Sequence, residues 1–131
     1  MTKIIHTMIR VLDPERSMKF YGDCFGLALS HRLDFPGFTL IYLRDPESGF
    51  EIELTHNVDR TEPYTHGDGY GHIAVVSDDL AALHDKLTTL GYAPAAIKEF
   101  KRGDTLLARF FFVVDPDGYK IEALEQWGHY Q

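Results

Sequence analysis

The sequence repeats itself once, and this repeat restricts the possible fold more than any other feature. An Asp-Pro turn followed by glycine, an aromatic residue, any residue, isoleucine and glutamate occupies 45–53 and recurs at 115–122, with one extra residue in the first turn. A histidine precedes each run, His6 in one copy and His72 in the other, so histidine and glutamate lie 47 and 50 residues apart. Two landmarks that recur in the same order predict a duplicated module.

Both copies have the same predicted order of elements, a strand, a helix and three further strands. The predicted strands are 3–11, 28–33, 38–44 and 50–56 in the first copy and 71–77, 93–97, 105–114 and 119–124 in the second. The first helix begins at Asp13-Pro14 and ends at Gly26, and the second spans 78–90 and ends at Gly91. The sequence therefore predicts an α+β domain of two tandem βαβββ repeats, about 1–60 and 69–128, forming a curved mixed sheet around a cleft.

Composition argues against several classes of protein. A formal net charge of −7 disfavours a nucleic-acid binder, which needs a basic face. No run reaches the roughly 18 apolar residues of a membrane span, and no basic-then-apolar leader is visible. Cys24 is the only cysteine, which excludes an internal disulfide and predicts a buried residue in a reducing cytoplasm.

One short basic cluster departs from the acidic balance. It covers 98–102, Lys-Glu-Phe-Lys-Arg, and is followed by Gly103. We expect a solvated loop here, with a flap over a site for an acidic substrate as the second interpretation.

The duplicated histidine and glutamate predict a metal site. His6 and His72 occupy matching places on first strands, and Glu53 and Glu122 matching places on last strands. Twofold-related modules would bring two imidazoles and two carboxylates to one centre in the cleft. This donor set suits a borderline divalent metal such as Zn²⁺, Ni²⁺, Co²⁺ or Mn²⁺.

Salt bridges are the competing explanation for carboxylates in central strands. Glu53 and Glu122 lie among apolar neighbours, and a buried carboxylate needs a cation to offset its desolvation. An ordinary ion pair supplies one, but it does not predict that histidine and glutamate recur together. The remaining histidines have no repeat partner and are expected to be structural or exposed: His31, His56, His66, His84 and His129.

With these motifs in place, the chain resembles the glyoxalase I (lactoylglutathione lyase) family of the vicinal oxygen chelate superfamily. The resemblance covers nearly the whole chain. The most specific segments in combination are 52–57 (Ile-Glu-Leu-Thr-His-Asn), 70–74 (Tyr-Gly-His-Ile-Ala) and 115–122 (Asp-Pro-Asp-Gly-Tyr-Lys-Ile-Glu). The segments 6–11 and 17–21 also match but recur across many members of the superfamily.

The resemblance implies that His6, Glu53, His72 and Glu122 match all four metal-ligand positions of the family. It also implies a homodimer in which each metal can draw one histidine and one glutamate from each subunit, with pairing of the two modules within one chain as the alternative. The short chain is similar to the nickel- or cobalt-activated class, with zinc as the alternative.

The activity implied by the resemblance is isomerisation of the hemithioacetal of methylglyoxal and glutathione to S-lactoylglutathione. A divalent metal polarises the substrate oxygens, and a carboxylate moves a proton between neighbouring carbons. By resemblance Glu122 is the first choice for that base and Glu53 the symmetric alternative.

Glutathione contacts are also implied by position. Arg10 and Asn57 match residues that bind the carboxylates and amides of glutathione in the family. The sequence alone favours the simpler explanations, an exposed strand charge for Arg10 and a turn residue for Asn57. Asp68 stands where some members carry an arginine, and an acid there would repel the glycyl carboxylate. Lys101 or Arg102 is the expected compensation.

Other functions remain open on the sequence. Within the superfamily they are an acyl-CoA epimerase, a ring-cleaving dioxygenase that uses two histidines and one glutamate, and a thiol transferase that inactivates an antibiotic. Outside enzymes, a drug-binding relative would hold its ligand between aromatic walls without metal ligands. Glutamate at both strand positions favours the isomerase.

Overall fold

The computed structural model describes every residue, Met1–Gln131, and the chain divides into two compact units. Met1–Thr65 forms module 1 and His66–Gln131 forms module 2. Each module contains a strand, a helix and three further strands, and each builds its own four-stranded sheet. The prediction of an α+β fold made of two βαβββ modules is confirmed.

Module 1 has the sheet order β1-β4-β3-β2. Strand β1 pairs in parallel with β4, whereas the β4–β3 and β3–β2 pairs are antiparallel. Its elements are β1 (His6–Arg10), α1 (Pro14–Phe25), β2 (Ala28–Phe35), β3 (Phe38–Arg44) and β4 (Glu51–Asn57).

Helix α1 begins and ends where the sequence predicts. The side chain of Asp13 accepts a hydrogen bond from the Arg16 amide at 3.2 Å, and Pro14 follows at the first helical position. Gly26 ends the helix with a φ of 71°, the left-handed conformation that glycine adopts without steric cost. The helix covers one face of the sheet, where Phe20 and Tyr21 are fully buried.

Module 2 repeats this arrangement with the sheet order β5-β8-β7-β6. Strand β5 is parallel to β8, and the other pairs are antiparallel. Its elements are β5 (Ile73–Ser77), α2 (Leu80–Thr89), β6 (Lys98–Arg102), β7 (Thr105–Val114) and β8 (Lys120–Glu125). Asp79 caps α2 by accepting a hydrogen bond from the Ala82 amide at 3.0 Å. Neither helix is long and apolar enough to cross a lipid bilayer.

The prediction of a strand at 93–97 is wrong. Ala93 has a φ of 51°, and Pro94 has no amide hydrogen, so no regular strand forms here, although the Ala95 amide donates to the Phe112 carbonyl at 2.8 Å. The strand lies instead at β6, Lys98–Arg102, which was expected to be a loop or flap. Gly103, with a φ of 62°, and Asp104 form the two-residue turn that joins β6 to β7 as a hairpin.

The two Asp-Pro turns place the glutamate strands. The Asp115 side chain accepts hydrogen bonds from the amides of Asp117 and Tyr119, both at 2.9 Å. The Asp45 side chain accepts one from the Ser48 amide at 3.0 Å, and the Ser48 hydroxyl also lowers the pKa of Asp45. Each aspartate therefore anchors the chain just before the strand that carries the glutamate.

Candidate functional site

His6 and Glu53 come together in module 1. His6 opens β1, Glu53 lies in β4, and His6 Nε2 is 3.8 Å from Glu53 Oε2. The side chains are 34% and 14% exposed, so the carboxylate is the better shielded of the two. We call these two residues the first His–Glu pair.

His72 and Glu122 form the second His–Glu pair in module 2. His72 Nε2 is 3.4 Å from Glu122 Oε1, and the side chains are 41% and 17% exposed. Strand β5 begins at Ile73, so His72 immediately precedes the strand in which the sequence analysis placed it. Its relation to the glutamate is nevertheless the same as in module 1.

Strand register explains why the two pairs match. Met8 lies opposite Glu53, and Ala74 lies opposite Glu122, in each case across a parallel ladder. Each histidine is two residues before that opposing residue and so projects from the same face as the glutamate. The opposite face of each sheet is the one that the helix covers, so both pairs lie on the face that no helix covers.

The donor chemistry and the distances fit a divalent cation. Bonds from zinc to histidine nitrogen and carboxylate oxygen are about 2.0–2.2 Å, so two ligands of one ion lie roughly 2.9–4.2 Å apart. Separations of 3.4 and 3.8 Å fall within this range. Each pair can therefore supply two ligands to one ion.

One pair alone makes only half of a ligand set. A catalytic zinc site uses three protein ligands, and no group of three or more histidine, cysteine, aspartate or glutamate side chains that could hold a metal is found. That all four predicted ligands bind one ion therefore stays a prediction.

Arg10 and Asn57 share the sheet face of the first pair. Arg10 ends β1 four residues after His6, and Asn57 ends β4 four residues after Glu53, so alternation places all four on one side. The Tyr64 hydroxyl donates to Asn57 Oδ1 at 3.5 Å. A glutathione-binding role for Arg10 and Asn57 stays a prediction.

An aromatic residue beside each histidine was missed by the sequence analysis. The ring of Tyr42 meets His6 edge-on at 5.8 Å, and the ring of Phe112 meets His72 edge-on at 5.4 Å. Tyr42 lies 11 residues before Glu53 and Phe112 lies 10 before Glu122, a match that differs only by the extra turn residue. This interval was the signal that could have revealed them.

The clefts beside the two histidines differ in character. In module 1, His6 and Tyr42 line a cleft of about 450 Å³ together with the polar side chains of Ser30, Arg44 and Glu51. Arg44 Nε is 3.2 Å from Glu51 Oε2, and the Ser30 hydroxyl donates to the same carboxylate. In module 2, the cleft is about 340 Å³.

Four ring side chains line the second cleft. His72 and Phe112 line it with His66 and Tyr70, and His66 stacks on Tyr119 at 4.1 Å. Burial raises the pKa of Tyr70 to about 12, with a smaller effect from the charge of Asp115. The Tyr70 hydroxyl therefore stays protonated and donates to the Lys120 carbonyl at 3.0 Å.

The charged residues suggested for an acidic substrate are exposed. Asp68 lies in the turn of residues 67–69, and Lys101 and Arg102 lie in β6. Lys101 Nζ is already 3.3 Å from Glu99 Oε2, so its charge is partly matched within its own strand. The first expectation for 98–102, a solvated loop, is wrong, because Lys98–Arg102 is a strand paired with β7.

Known proteins resemble this chain in sequence. A lactoylglutathione lyase from Haemophilus influenzae is 44% identical over 130 residues, which cover 94% of this chain and 92% of that protein. A lactoylglutathione lyase from Neisseria meningitidis is 40% identical, with 95% and 91% covered. The duplicated motifs are thus part of a similarity that spans both modules.

The fold has the same relatives. The solved structure of the trypanothione-dependent glyoxalase I of Leishmania major matches with a TM-score of 0.77 at 36% identity, covering 96% of this chain and 88% of that chain. The profile of the Glyoxalase/Bleomycin resistance protein/Dioxygenase superfamily matches residues 3–123. The resemblance inferred from the motifs is confirmed, and the chain belongs to this superfamily.

Proposed function

We propose that this protein is a metal-dependent glyoxalase I, which isomerises the hemithioacetal of methylglyoxal and glutathione to S-lactoylglutathione. The observation that carries the proposal is the pair of matching His–Glu pairs, each with donors spaced for one cation. The relatives named lactoylglutathione lyase, similar over more than nine-tenths of the chain, support the same reaction.

His6, Glu53, His72 and Glu122 would together hold the metal. When bound, a divalent cation supplies Lewis acidity to the substrate oxygens. Because each module offers two donors, a complete set requires one pair from each of two modules. We place these modules in a homodimer in which each metal takes one pair from each subunit, and we favour Ni²⁺ or Co²⁺ over Zn²⁺.

Glu122 is the proposed base. Its carboxylate takes the proton from the carbon that bears sulfur and hydroxyl and returns it to the neighbouring carbonyl carbon. The hydroxyl proton passes to the oxygen of that carbonyl, so the net change is an isomerisation. Glu53 remains the symmetric alternative for a substrate of the opposite configuration. Arg10 and Asn57 are placed at the glutathione moiety, where a guanidinium and an amide suit carboxylates and peptide groups.

The buried, single Cys24 fits a reducing compartment, and we place the enzyme in the cytoplasm. The thiol that it uses there is glutathione in this proposal.

A metal-reloading assay tests the proposed function. Purified protein is stripped with a chelator, reloaded separately with Ni²⁺, Co²⁺ or Zn²⁺, and assayed spectrophotometrically with methylglyoxal and glutathione. We expect no turnover in the stripped protein, recovery with at least one metal, and loss again in Glu122→Gln.

The matched control is Glu125→Gln, three residues further along β8, where the carboxylate lies 3.8 Å from Arg109 rather than beside His72. This variant should retain turnover. Absence of turnover with every metal would refute the isomerase, and full turnover in Glu122→Gln would refute its role as base.

A further inference from the structure

A cluster of polar side chains lies next to the first His–Glu pair on the sheet face that no helix covers. Glu51 lies opposite His6 on the β1–β4 ladder and opposite Arg44 on the β3–β4 ladder. Ser30, Arg44 and Glu51 line the same cleft of about 450 Å³ as His6. We call these three residues the polar subsite.

The polar subsite is charge-balanced and held by its own contacts. Arg44 Nε is 3.2 Å from Glu51 Oε2, and the Ser30 hydroxyl donates to the same carboxylate. A guanidinium has five N–H donors and a carboxylate about four acceptor positions, so these contacts use only part of the set. An anion would be repelled by Glu51, and an apolar group would desolvate the ion pair without replacing water. Neutral hydroxyl groups, which both donate and accept, suit this subsite best.

Strand geometry places the polar subsite and the proposed glutathione residue Asn57 on opposite sides of Glu53. Glu51, Glu53 and Asn57 project from one face of β4. At about 3.3 Å per residue, Glu51 is about 7 Å from Glu53 in one direction along the strand, and Asn57 is about 13 Å from it in the other. In the hemithioacetal, the sulfur and the aldehyde substituent lie at opposite ends of the two oxygen-bearing carbons. With the sulfur directed toward Asn57, the substituent extends toward Glu51.

The cleft is much larger than the methyl substituent of methylglyoxal. A methyl group is about as large as a water molecule, which occupies roughly 30 Å³ in the liquid, whereas the cleft measures about 450 Å³. A methyl group also forms no hydrogen bond with Ser30, Arg44 or Glu51. The cleft therefore has both the room and the partners for a longer substituent that carries hydroxyl groups.

We propose that the polar subsite binds the substituent of the aldehyde, so that the enzyme prefers 2-oxoaldehydes with a hydroxylated substituent over those with an apolar one. This inference rests on the proposed isomerase function and deepens it by naming the class of aldehyde. Ser30, Arg44 and Glu51 determine specificity in this proposal, and none of them is a proposed metal ligand or base.

Two aldehydes with substituents of equal size test the preference. 3,4-Dihydroxy-2-oxobutanal carries two hydroxyl groups at the positions where 3-methyl-2-oxopentanal carries two methyl groups. Each is assayed with glutathione on the protein loaded with the most active of the three metals, and kcat/KM refers to the measured concentration of the hemithioacetal. We expect about tenfold higher kcat/KM for the hydroxylated adduct, because two hydrogen bonds contribute about that much after loss of water.

Two variants locate the preference in the polar subsite. Arg44→Met/Glu51→Met replaces the ion pair with apolar side chains, and Ser30→Ala removes the hydroxyl alone. We expect the ratio of the two kcat/KM values to fall to about one or below in the double variant, and by about threefold in Ser30→Ala. Both aldehydes are measured on the same preparation, so any loss of folded protein or of metal cancels from the ratio.

The matched control is the double variant Arg32→Met/Asp34→Met. Arg32 Nε is 3.3 Å from Asp34 Oδ1, so an ion pair of similar length is removed from the same module. Arg32 lies opposite Ile41, whose side chain is buried on the helix-covered face, so this pair lies outside the cleft. The control should keep the ratio of the unmodified protein.

Three results would overturn the inference. The first is a ratio of about one or below in unmodified protein that does turn over methylglyoxal, which would leave the isomerase standing. The second is an unchanged ratio in Arg44→Met/Glu51→Met. If this double variant fails to fold, the ratios of the unmodified protein and of Ser30→Ala decide. The third is absence of turnover with all three aldehydes, which would refute the isomerase itself and the inference with it.

Discussion

The two modules share one topology but fill their cores in opposite ways. In module 1 helix α1 supplies the large aromatic side chains, Phe20 and Tyr21, and strand β3 supplies Ile41, which is fully buried. In module 2 helix α2 supplies Leu87 and strand β7 supplies Phe111. The bulky groups have changed sides of the same interface, because packing requires a filled volume rather than a given residue at each position.

The sheet face that carries the His–Glu pairs follows a stricter rule. Histidine and glutamate occupy the same register positions in both modules, and their nitrogen–oxygen distances differ by less than the range a single cation tolerates. Leucine can replace phenylalanine in a core, but no apolar residue can replace a ligand atom. The comparison therefore distinguishes positions where the chemical identity of the side chain matters from core positions where only the filled volume matters.

Neutralising the two glutamates in turn should produce the largest difference between the modules. Glu122→Gln is expected to lower kcat about 10³-fold at saturating metal, since a general base contributes about 10²–10⁴-fold. Glu53→Gln is expected to act mainly by weakening metal binding. Steady-state kinetics with metal titration measures both, and equal losses of kcat would make the pairs equivalent.

Truncating the exchanged core residues should destabilise both modules strongly. Phe20→Ala is expected to cost about 4 kcal/mol of unfolding free energy and Leu87→Ala about 3 kcal/mol, because both side chains are fully buried. Urea unfolding followed by circular dichroism gives these values. Leu90→Ala, at a leucine that is 42% exposed, is the control and should cost less than about 0.5 kcal/mol.

The two Asp-Pro turns should respond unequally to loss of their aspartates. Asp115 is 4% exposed and accepts two backbone hydrogen bonds, so Asp115→Ala is expected to cost about 2 kcal/mol. Asp45 is less buried, and Asp45→Ala should cost about 1 kcal/mol. Urea unfolding measures both losses of unfolding free energy. Equal losses in Asp115→Ala and Asp45→Ala would contradict the expected difference between the two turns.

The contribution of Asp45 should also depend on pH. Its pKa in the folded protein is lowered, mainly by the Ser48 hydroxyl, so its stabilisation is present above the ordinary aspartate pKa. The stabilisation is lost as the pH falls through the lowered folded value. The difference in unfolding free energy between the protein and Asp45→Ala should therefore shrink in acid, and a constant difference would contradict this.

The glycines that end the helices should give the smallest effects and the most similar ones. Gly26 and Gly91 have φ values of 71° and 87°, and an added methyl group would meet no atom within 4 Å at either. Alanine there should cost about 1 kcal/mol, from backbone conformation alone. Gly69→Ala, also in open space but without a positive φ, should be close to neutral. Thermal unfolding of the three variants measures these effects.

The parts of the fold set by local chemistry were predictable from the sequence. Asp13, Pro14 and Gly26 mark the ends of α1 through hydrogen bonds and backbone angles that depend on those residues alone. The His–Glu pairs were predictable for another reason, since duplication made them visible twice. The strand at β6 has no apolar pattern in the sequence, because four of its five residues are charged, and its place is set by the Gly103-Asp104 turn of the hairpin.

The place of Tyr42 beside the first His–Glu pair is signalled by the repeat interval and not by its local sequence. A tyrosine in a strand is unremarkable until the β3–β4 register places it opposite Glu53. Register depends on the lengths of two turns and on the packing of the whole sheet, which local propensity does not contain. The identities of the ligand candidates were thus predictable from the sequence, whereas their contacts with neighbouring rings depend on strand register.

The parallel pairing of β1 with β4, and of β5 with β8, has a consequence for how the protein matures. The earliest strand of each module finds its partner in the last one, so neither half-site exists until its module has been synthesised in full. Before that point the histidine of a module has no glutamate beside it in the sheet. In the proposed function, loading with metal would therefore follow assembly of each sheet rather than guide it.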